Sequence, residues 1–418
     1  MKKRYLVLVF GILLLIGLSA SAYAAVTIGG MIQFRGWSQA TDTDKNTPQA
    51  NYYDTRVRLS FDDKINDNLE AMIEFENNNA GGDFAQWGTG TYKGQGVYKV
   101  GDSFVPGNAS LRQAWILYKF SSIPLAMKVG HQPLSLGHKI FFDHTRFGDD
   151  AIVLISNPSK ELTLLALTIK LKEGLTTISH DDGDAYVGLV SYKVDDKNTV
   201  GFNVTHVRQR DFASVTPLSN TAITNLMGTA DGSLANVDYR VELDWQFGDV
   251  VNNALAKVKA KGLAFLLGAD YKVDPVKLSA DWVYGSGVNS SDTDMKGFIN
   301  AVGLDQHYTL VHELSVAGPA GLHGGIFNTM YVRLGASGDF TKELNAGLDL
   351  YRLWASRTNP GISKDVGWEV DGKAVYKLDK NLAYQVDAGY FKPGSWYSDQ
   401  GMPKDGAYVL RHMLTLTF

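Results

Sequence analysis

The chain has 418 residues, no cysteine and a formal charge of −4. The missing cysteine excludes disulfides, c-type haem attachment and thiolate metal sites within the chain. The mild acidity argues against a nucleic-acid partner.

The first residues read as a secretory signal peptide. Lys2, Lys3 and Arg4 form a charged start, residues 6–18 are apolar, and Ala22-Tyr23-Ala24 is an A-x-A cleavage site. The apolar run is shorter than the ~20 residues a spanning helix needs. No cysteine stands at the cleavage point, which excludes a lipoprotein anchor. The expected division is a leader over 1–24 and a mature chain over 25–418. Losing Lys2, Lys3 and Arg4 takes the formal charge from −4 to −7.

After Ala24 no apolar stretch approaches the length of a membrane helix. Any crossing must be by strands. Alternation of apolar and polar residues predicts strands at 26–37, 51–62, 68–77, 109–120, 124–132, 150–157, 161–171, 184–194, 198–208, 220–230, 236–247, 260–273, 275–286, 326–338, 342–354, 366–378, 382–392 and 407–418. These are eighteen, or sixteen if 150–157 and 220–230 fail. Most have about the ~10 residues that cross a bilayer at a tilt. The clearest runs from Val237 to Phe247, with Val237, Tyr239, Val241, Leu243, Trp245 and Phe247 on one face and Asp238, Arg240, Glu242, Asp244 and Gln246 on the other. One such strand would suit a soluble sandwich equally well; the number of them points to a barrel.

Tight turns at 62–67, 121–123, 157–160, 195–197, 274–275, 341–343 and 379–381 alternate with long polar connections such as 78–108, 209–219, 287–325 and 393–406. Short turns at one rim and long loops at the other mark an outer-membrane barrel. The fold class is therefore all-β, a single transmembrane antiparallel up-and-down barrel. Trp37, Tyr52, Tyr53, Phe61, Tyr118, Phe120, Trp282, Tyr284, Trp354, Trp368, Tyr376 and Tyr390 lie near strand ends, as interfacial aromatic belts require. The last strand places Tyr408, Leu410, His412, Leu414, Leu416 and Phe418 on one face. Its terminal phenylalanine resembles the signal that bacterial barrel-assembly machinery reads, so that machinery, outer-membrane lipid and lipopolysaccharide are expected partners.

A pore acts through its lining. Strand parity turns Arg56, Arg58, Lys128, Arg240, Glu242 and Arg333 inward, among other charges of both signs. Most such charges pair across strands and stiffen the wall; together they bias which ions enter. Segment 131–150 reads as an inward constriction loop. It carries His131, His138, Lys139, Asp143, His144 and Arg146, with Gly130, Gly137 and Gly148 for bends. The plain alternative is a wet external loop. The histidine spacings match no tight zinc motif. Asp42, Asp44 and Asn46 lack the glycine and distal glutamate of a calcium loop. No metal and no cofactor are expected.

Two stretches carry a family resemblance. Lys128-Val129-Gly130-His131-Gln132-Pro133-Leu134-Ser135-Leu136-Gly137, with Phe147-Gly148-Asp149-Asp150 after it, resembles the strand and inward loop of alginate-export-type porins, with His131 where arginine is usual. Asp244-Trp245-Gln246-Phe247-Gly248, Lys261-Gly262-Leu263-Ala264 and Asp281-Trp282-Val283-Tyr284-Gly285-Ser286-Gly287 resemble later strands of that family, with Val288 where aspartate is usual. The resemblance implies an eighteen-stranded porin and leaves the solute open. The expected function is passive diffusion of small hydrophilic, charged solutes across the outer membrane, with no catalysis. Two other readings stay open: a barrel sheath around a multihaem cytochrome, and a barrel enzyme, although no G-x-S-x-G elbow appears. The oligomeric state is also open.

Overall fold

The computed structural model describes residues 26–40, 42–77, 85–86, 109–173, 182–209, 221–251, 257–302, 307–321 and 324–418. The expected leader and most of connection 78–108 lie outside the described residues.

Eighteen strands build the wall: β1 (Thr27–Gln39), β2 (Ala50–Asn66), β3 (Leu69–Asn77), β4 (Ala109–Lys119), β5 (Leu125–Gln132), β6 (Asp149–Ser156), β7 (Leu162–Lys172), β8 (Gly183–Lys193), β9 (Thr199–Gln209), β10 (Thr221–Leu234), β11 (Val237–Val251), β12 (Leu263–Val273), β13 (Val276–Gly285), β14 (Thr329–Asp339), β15 (Leu344–Ala355), β16 (Asp365–Lys377), β17 (Leu382–Pro393) and β18 (Ala407–Thr417). Each pairs antiparallel with the next, and β18 pairs with β1, so the sheet closes on itself. Closure leaves no strand edge in the membrane and satisfies the backbone. The two short pieces Ala85–Gln86 and Lys257–Ala260 extend the sheet beyond the cylinder.

The sequence readings at 150–157 and 220–230 are both wall strands, and the second continues to Leu234 before a two-residue turn. The reading at 326–338 starts three residues later, at Thr329. The one at 260–273 is interrupted by Lys261 and Gly262.

Alternation sorts the side chains in the sense that lipid demands. On β11, Leu243 (53 %) and Trp245 (55 %) are exposed while Glu242 and Asp244 are wholly buried. A soluble protein would reverse this pattern; a barrel turns its apolar face outward. Tyr53, Trp282, Trp368, Tyr376 and Tyr390 lie on that outer face. Trp37 and Tyr52 correct the belt assignment, because both turn into the lumen and stack with ring centres 5.8 Å apart. His412 keeps its place on the outer face of β18, flanked by Tyr53 at 5.8 Å and Tyr384 at 6.0 Å. At the seam Gly30 N donates to Phe418 O (2.8 Å) and Phe418 N to Gly30 O (3.1 Å).

Two long connections fold inward. In the first, residues 133–148, Ile140, Phe141 and Phe142 are buried. In the second, residues 286–328, Phe298, Leu310 and Val311 are buried and a short helix, α1 (His312–Ser315), forms. The loops meet where the Phe141 and Phe298 rings lie 6.2 Å apart and Phe142 pairs with Ala301 in a parallel bridge. Connection 287–325, expected as an external polar loop, is thus corrected: its described residues fill the lumen. The apolar residues it carries are removed from water by the other loop and the wall.

Candidate functional site: a charged lumen narrowed by two loops

The first loop turns at Gly137 (φ 52°), Lys139 (φ 70°) and Gly148 (φ 78°). Gly137 is required doubly: its backbone is left-handed, and a Cβ there would collide with the Glu242 carboxylate. That carboxylate accepts the His138 backbone N–H. The His138 ring lies 3.2 Å from Asp231. Lys139 Nζ is 3.4 Å from Asp143, which accepts from Thr145 N (3.1 Å) and Thr145 Oγ1 (2.7 Å). His144 Nδ1 pairs with Asp149 at 2.9 Å.

His131 is corrected. It follows outward Val129 by two residues and faces Asp150, whose side chain is 72 % exposed, across the β5–β6 ladder. Its Nδ1 lies 3.0 Å from Asp150 and its Nε2 2.6 Å from Phe147 O. It therefore braces the outer face of the wall and does not meet the lumen. The four groups weighed as a metal set, His131, His138, Asp143 and His144, take separate partners.

One arc of the lumen is basic. Arg56 and Arg58 share Glu76, and Arg112 pairs with Glu74. Arg35 and Arg411 pair with Asp54 and Asp387 and lie 5.1 and 4.9 Å from the centre of the Trp37 ring. Lys128 Nζ sits 3.8 Å over the Trp115 ring. The Arg146 guanidinium lies 4.8 Å from the Phe147 ring. Arg112 is a residue that sequence reasoning missed. Strict alternation from Ile116 turns it outward, but a bulge opposite Glu74 and Phe75 places it inward beside Gln113. It donates to the carbonyls of Thr145 (2.6 Å) and Arg146 (2.9 Å), so the wall grips the loop there. Only the tertiary register reveals this.

The facing arc sets two arginines among three aspartates on successive strands. Arg240 of β11 bonds Asp270 of β12 (3.0 Å) and Asp281 of β13; Arg333 of β14 bonds Asp281 (2.6 Å) and Asp349 of β15 (3.3 Å). Gly268 makes room for this row, since a Cβ there would stand 2.5 Å from both Arg240 Nε and Asp281 Oδ1. A cavity of about 410 Å³ opens on the row and brings together His138, Lys139, Asp143, Arg240 and Arg333 with His307, Tyr308, Tyr331 and Tyr351.

The second loop supplies groups that the sequence reading did not single out. The Tyr308 and Tyr331 rings stack at 4.8 Å. Tyr351 OH donates to Tyr308 O at 3.0 Å. Glu313 accepts from the backbone N–H groups of His307 (2.7 Å) and Tyr308 (2.9 Å) and knots the segment. His312 is buried against Phe391 at 5.2 Å, and burial pushes its pKa down to about 4. The signal in the sequence was the apolar set Phe298, Ile299, Tyr308, Leu310, Val311 and Val316 inside a connection read as polar.

No family model matches the chain, so the alginate-export-type resemblance stands on its quoted segments alone. No curated protein matches it either. Solved structures do share its fold. A BenF-like porin from Pseudomonas fluorescens Pf-5 is 9% identical, with a TM-score of 0.60 over 95% of this chain and 100% of that one. OpdK of Pseudomonas aeruginosa, solved with vanillate, is 10% identical, with a TM-score of 0.60 over 95% and 100%. OccAB1 of Acinetobacter baumannii is 13% identical, with a TM-score of 0.60 over 96% and 98%. Across nearly its whole length the chain has the barrel fold of these porins.

Proposed function

We propose that this barrel is a porin of the bacterial outer membrane, a channel through which small hydrophilic, charged solutes diffuse. The observation that carries the reading is the two-faced wall: apolar side chains face outward around the cylinder, and charged ones line a lumen narrowed by two inward loops. The segments around 128–150 and 244–287 add the alginate-export-type resemblance as the finer family reading. Assembly would use the terminal strand ending at Phe418, and lipid and lipopolysaccharide would surround the wall.

The mechanism is passive. A solute sheds part of its water at the constriction and exchanges it for lining charges. Among the described residues Arg56, Arg58 and Arg112 meet two glutamates, Glu74 and Glu76, and Lys128 adds a further positive charge over the Trp115 ring. Glu242, Asp244 and Glu369 lie covered, at 0 % exposure. The accessible constriction therefore favours anions, and carboxylates such as the vanillate held by OpdK suit it. Lys139, Arg146 and Arg240 would meet the solute; no residue is assigned a catalytic role.

A cytochrome sheath fits less well, because Ile140, Phe141, Phe142, Phe298, Leu310 and Val311 fill lumen space that a haem protein would need. An enzyme also fits less well. Solved structures that share the fold of this chain over nearly its whole length are porins. Single-channel recording of the refolded mature chain in a planar bilayer tests the proposal. Stable steps with an anion-favouring reversal potential under a salt gradient support it; a folded barrel that passes no current refutes it.

A further inference from the structure

Two cavities meet at Tyr308 and Tyr351. One, of about 410 Å³, includes His307; the other, of about 160 Å³, includes Leu310 and runs toward Asp387 and Arg411. Residues 307–310 stand at the junction, His307 and Tyr308 lining the first and Tyr308 and Leu310 the second, and 311–316 continue the same segment. This segment is not stitched into the sheet by a ladder. Instead, three successive backbone N–H groups donate to two wall carboxylates of β16: Leu310 N to Asp371 Oδ2 (3.0 Å), Val311 N to Glu369 Oε1 (2.5 Å) and His312 N to Glu369 Oε2 (2.8 Å). Val311 fits over Gly389, where a Cβ would lie 2.7 Å from Val311 Cγ2.

The seated segment also leaves polar atoms unsatisfied. Both ring nitrogens of His312 and Asp371 Oδ1 are buried with no hydrogen-bond partner among the described residues. Such groups cost free energy that water would restore on release. Hydrogen bonds to the two carboxyl groups hold the segment down, and the orphaned groups oppose them.

We propose that Glu369 and Asp371 position residues 307–316 as a reversible partition, seated in this structure, whose release joins the two cavities into one wider solute path. The proposal rests on the porin reading. Glu369 and Asp371 are positioning residues: they act through the segment they hold, and Tyr308 is the side chain that the solute meets.

The absence of native cysteine makes a direct test available. The double substitution Val311→Cys with Gly389→Cys places two thiols within disulfide reach. In a planar bilayer the oxidised protein is expected to hold one fixed conductance level. Adding dithiothreitol to the same channel should then bring transitions to a larger level. Identical traces before and after reduction, with the disulfide verified by thiol titration, overturn the partition. Where the cross-link does not form, Glu369→Gln with Asp371→Asn keeps shape and replaces one acceptor oxygen of each carboxyl with an amide donor, so that Glu369 can no longer accept from both Val311 N and His312 N. It should raise the time spent in the larger level about tenfold, with barrel folding checked by heat-modified gel mobility. An unchanged dwell-time distribution overturns the proposal equally. Failure of the porin reading looks different: wild-type protein would then show no steps at all.

Discussion

Arg112 offers a separation of anchoring from charge. Its side chain is 12 % exposed, and its fork holds the carbonyls of Thr145 and Arg146. Arg112→Ala removes both bonds. Hydrogen bonds from a charged donor are worth about 1.5–3 kcal/mol each, and partial access of lumen water argues for the low end, about 3 kcal/mol in total. Glu74 is not stranded, because Gln113 Nε2 also donates to it at 3.2 Å. A loss of about 3 kcal/mol multiplies the undocked population of the loop about 150-fold. Hydrogen bonding of the wall is untouched, so the barrel should still fold. The expected reading in a planar bilayer is a larger, noisier conductance and a reversal potential shifted toward cations. Arg112→Lys keeps the charge and loses the fork. It should restore the reversal potential and leave the noise. Low salt sharpens the difference, since screening weakens at low ionic strength. Wild-type conductance and noise in Arg112→Ala would refute the claim that this residue holds the loop.

Other substitutions test other parts of the molecule. Gly268→Ala should leave barrel assembly intact and lower single-channel conductance, because the new methyl pries Arg240 from Asp281; wild-type currents would count against the row as part of the path. His312 has a folded pKa of about 4, below the ordinary value of 6.5. Between those values the unfolded chain binds a proton that the folded loop refuses, so the stability this ring contributes is complete above pH 6.5. It is lost by about 3 kcal/mol as pH falls to 4. The thermal midpoint should drop over that window more in wild type than in His312→Phe, and parallel curves would contradict the burial argument. Deleting Phe418 removes the paired bonds to Gly30 at the seam and the proposed assembly signal. The folded fraction recovered from outer membranes should fall several-fold, and full recovery would dismiss the role of this terminus.

The wall was legible in the sequence because its code is local. A strand alternates faces every residue, and a bilayer demands apolar side chains on one of them, so β11 could be read from Val237–Phe247 alone. The eighteen strands, the short turns and the lipid face of β18 follow from that period. Where the period breaks, the reading fails. The bulge in β4 turned Arg112 inward against its parity, and His131 fell on the outer face although its loop enters the lumen. Trp37 and Tyr52 resembled belt aromatics by composition, but they share the face of Arg35 and Asp54 and so turn inside, where Arg35 and Arg411 approach the Trp37 ring.

The interior was decided by contacts far apart in the chain. His138 meets Glu242 across 104 residues, and Val311 meets Glu369 across 58. No local pattern encodes such meetings. The sequence by itself determined that this chain closes into a lipid-facing barrel, since period and length suffice for that. Only the tertiary structure decided which loops fill the barrel and which charges remain for a solute, because loop docking depends on complementarity between side chains that the closed wall first brings together.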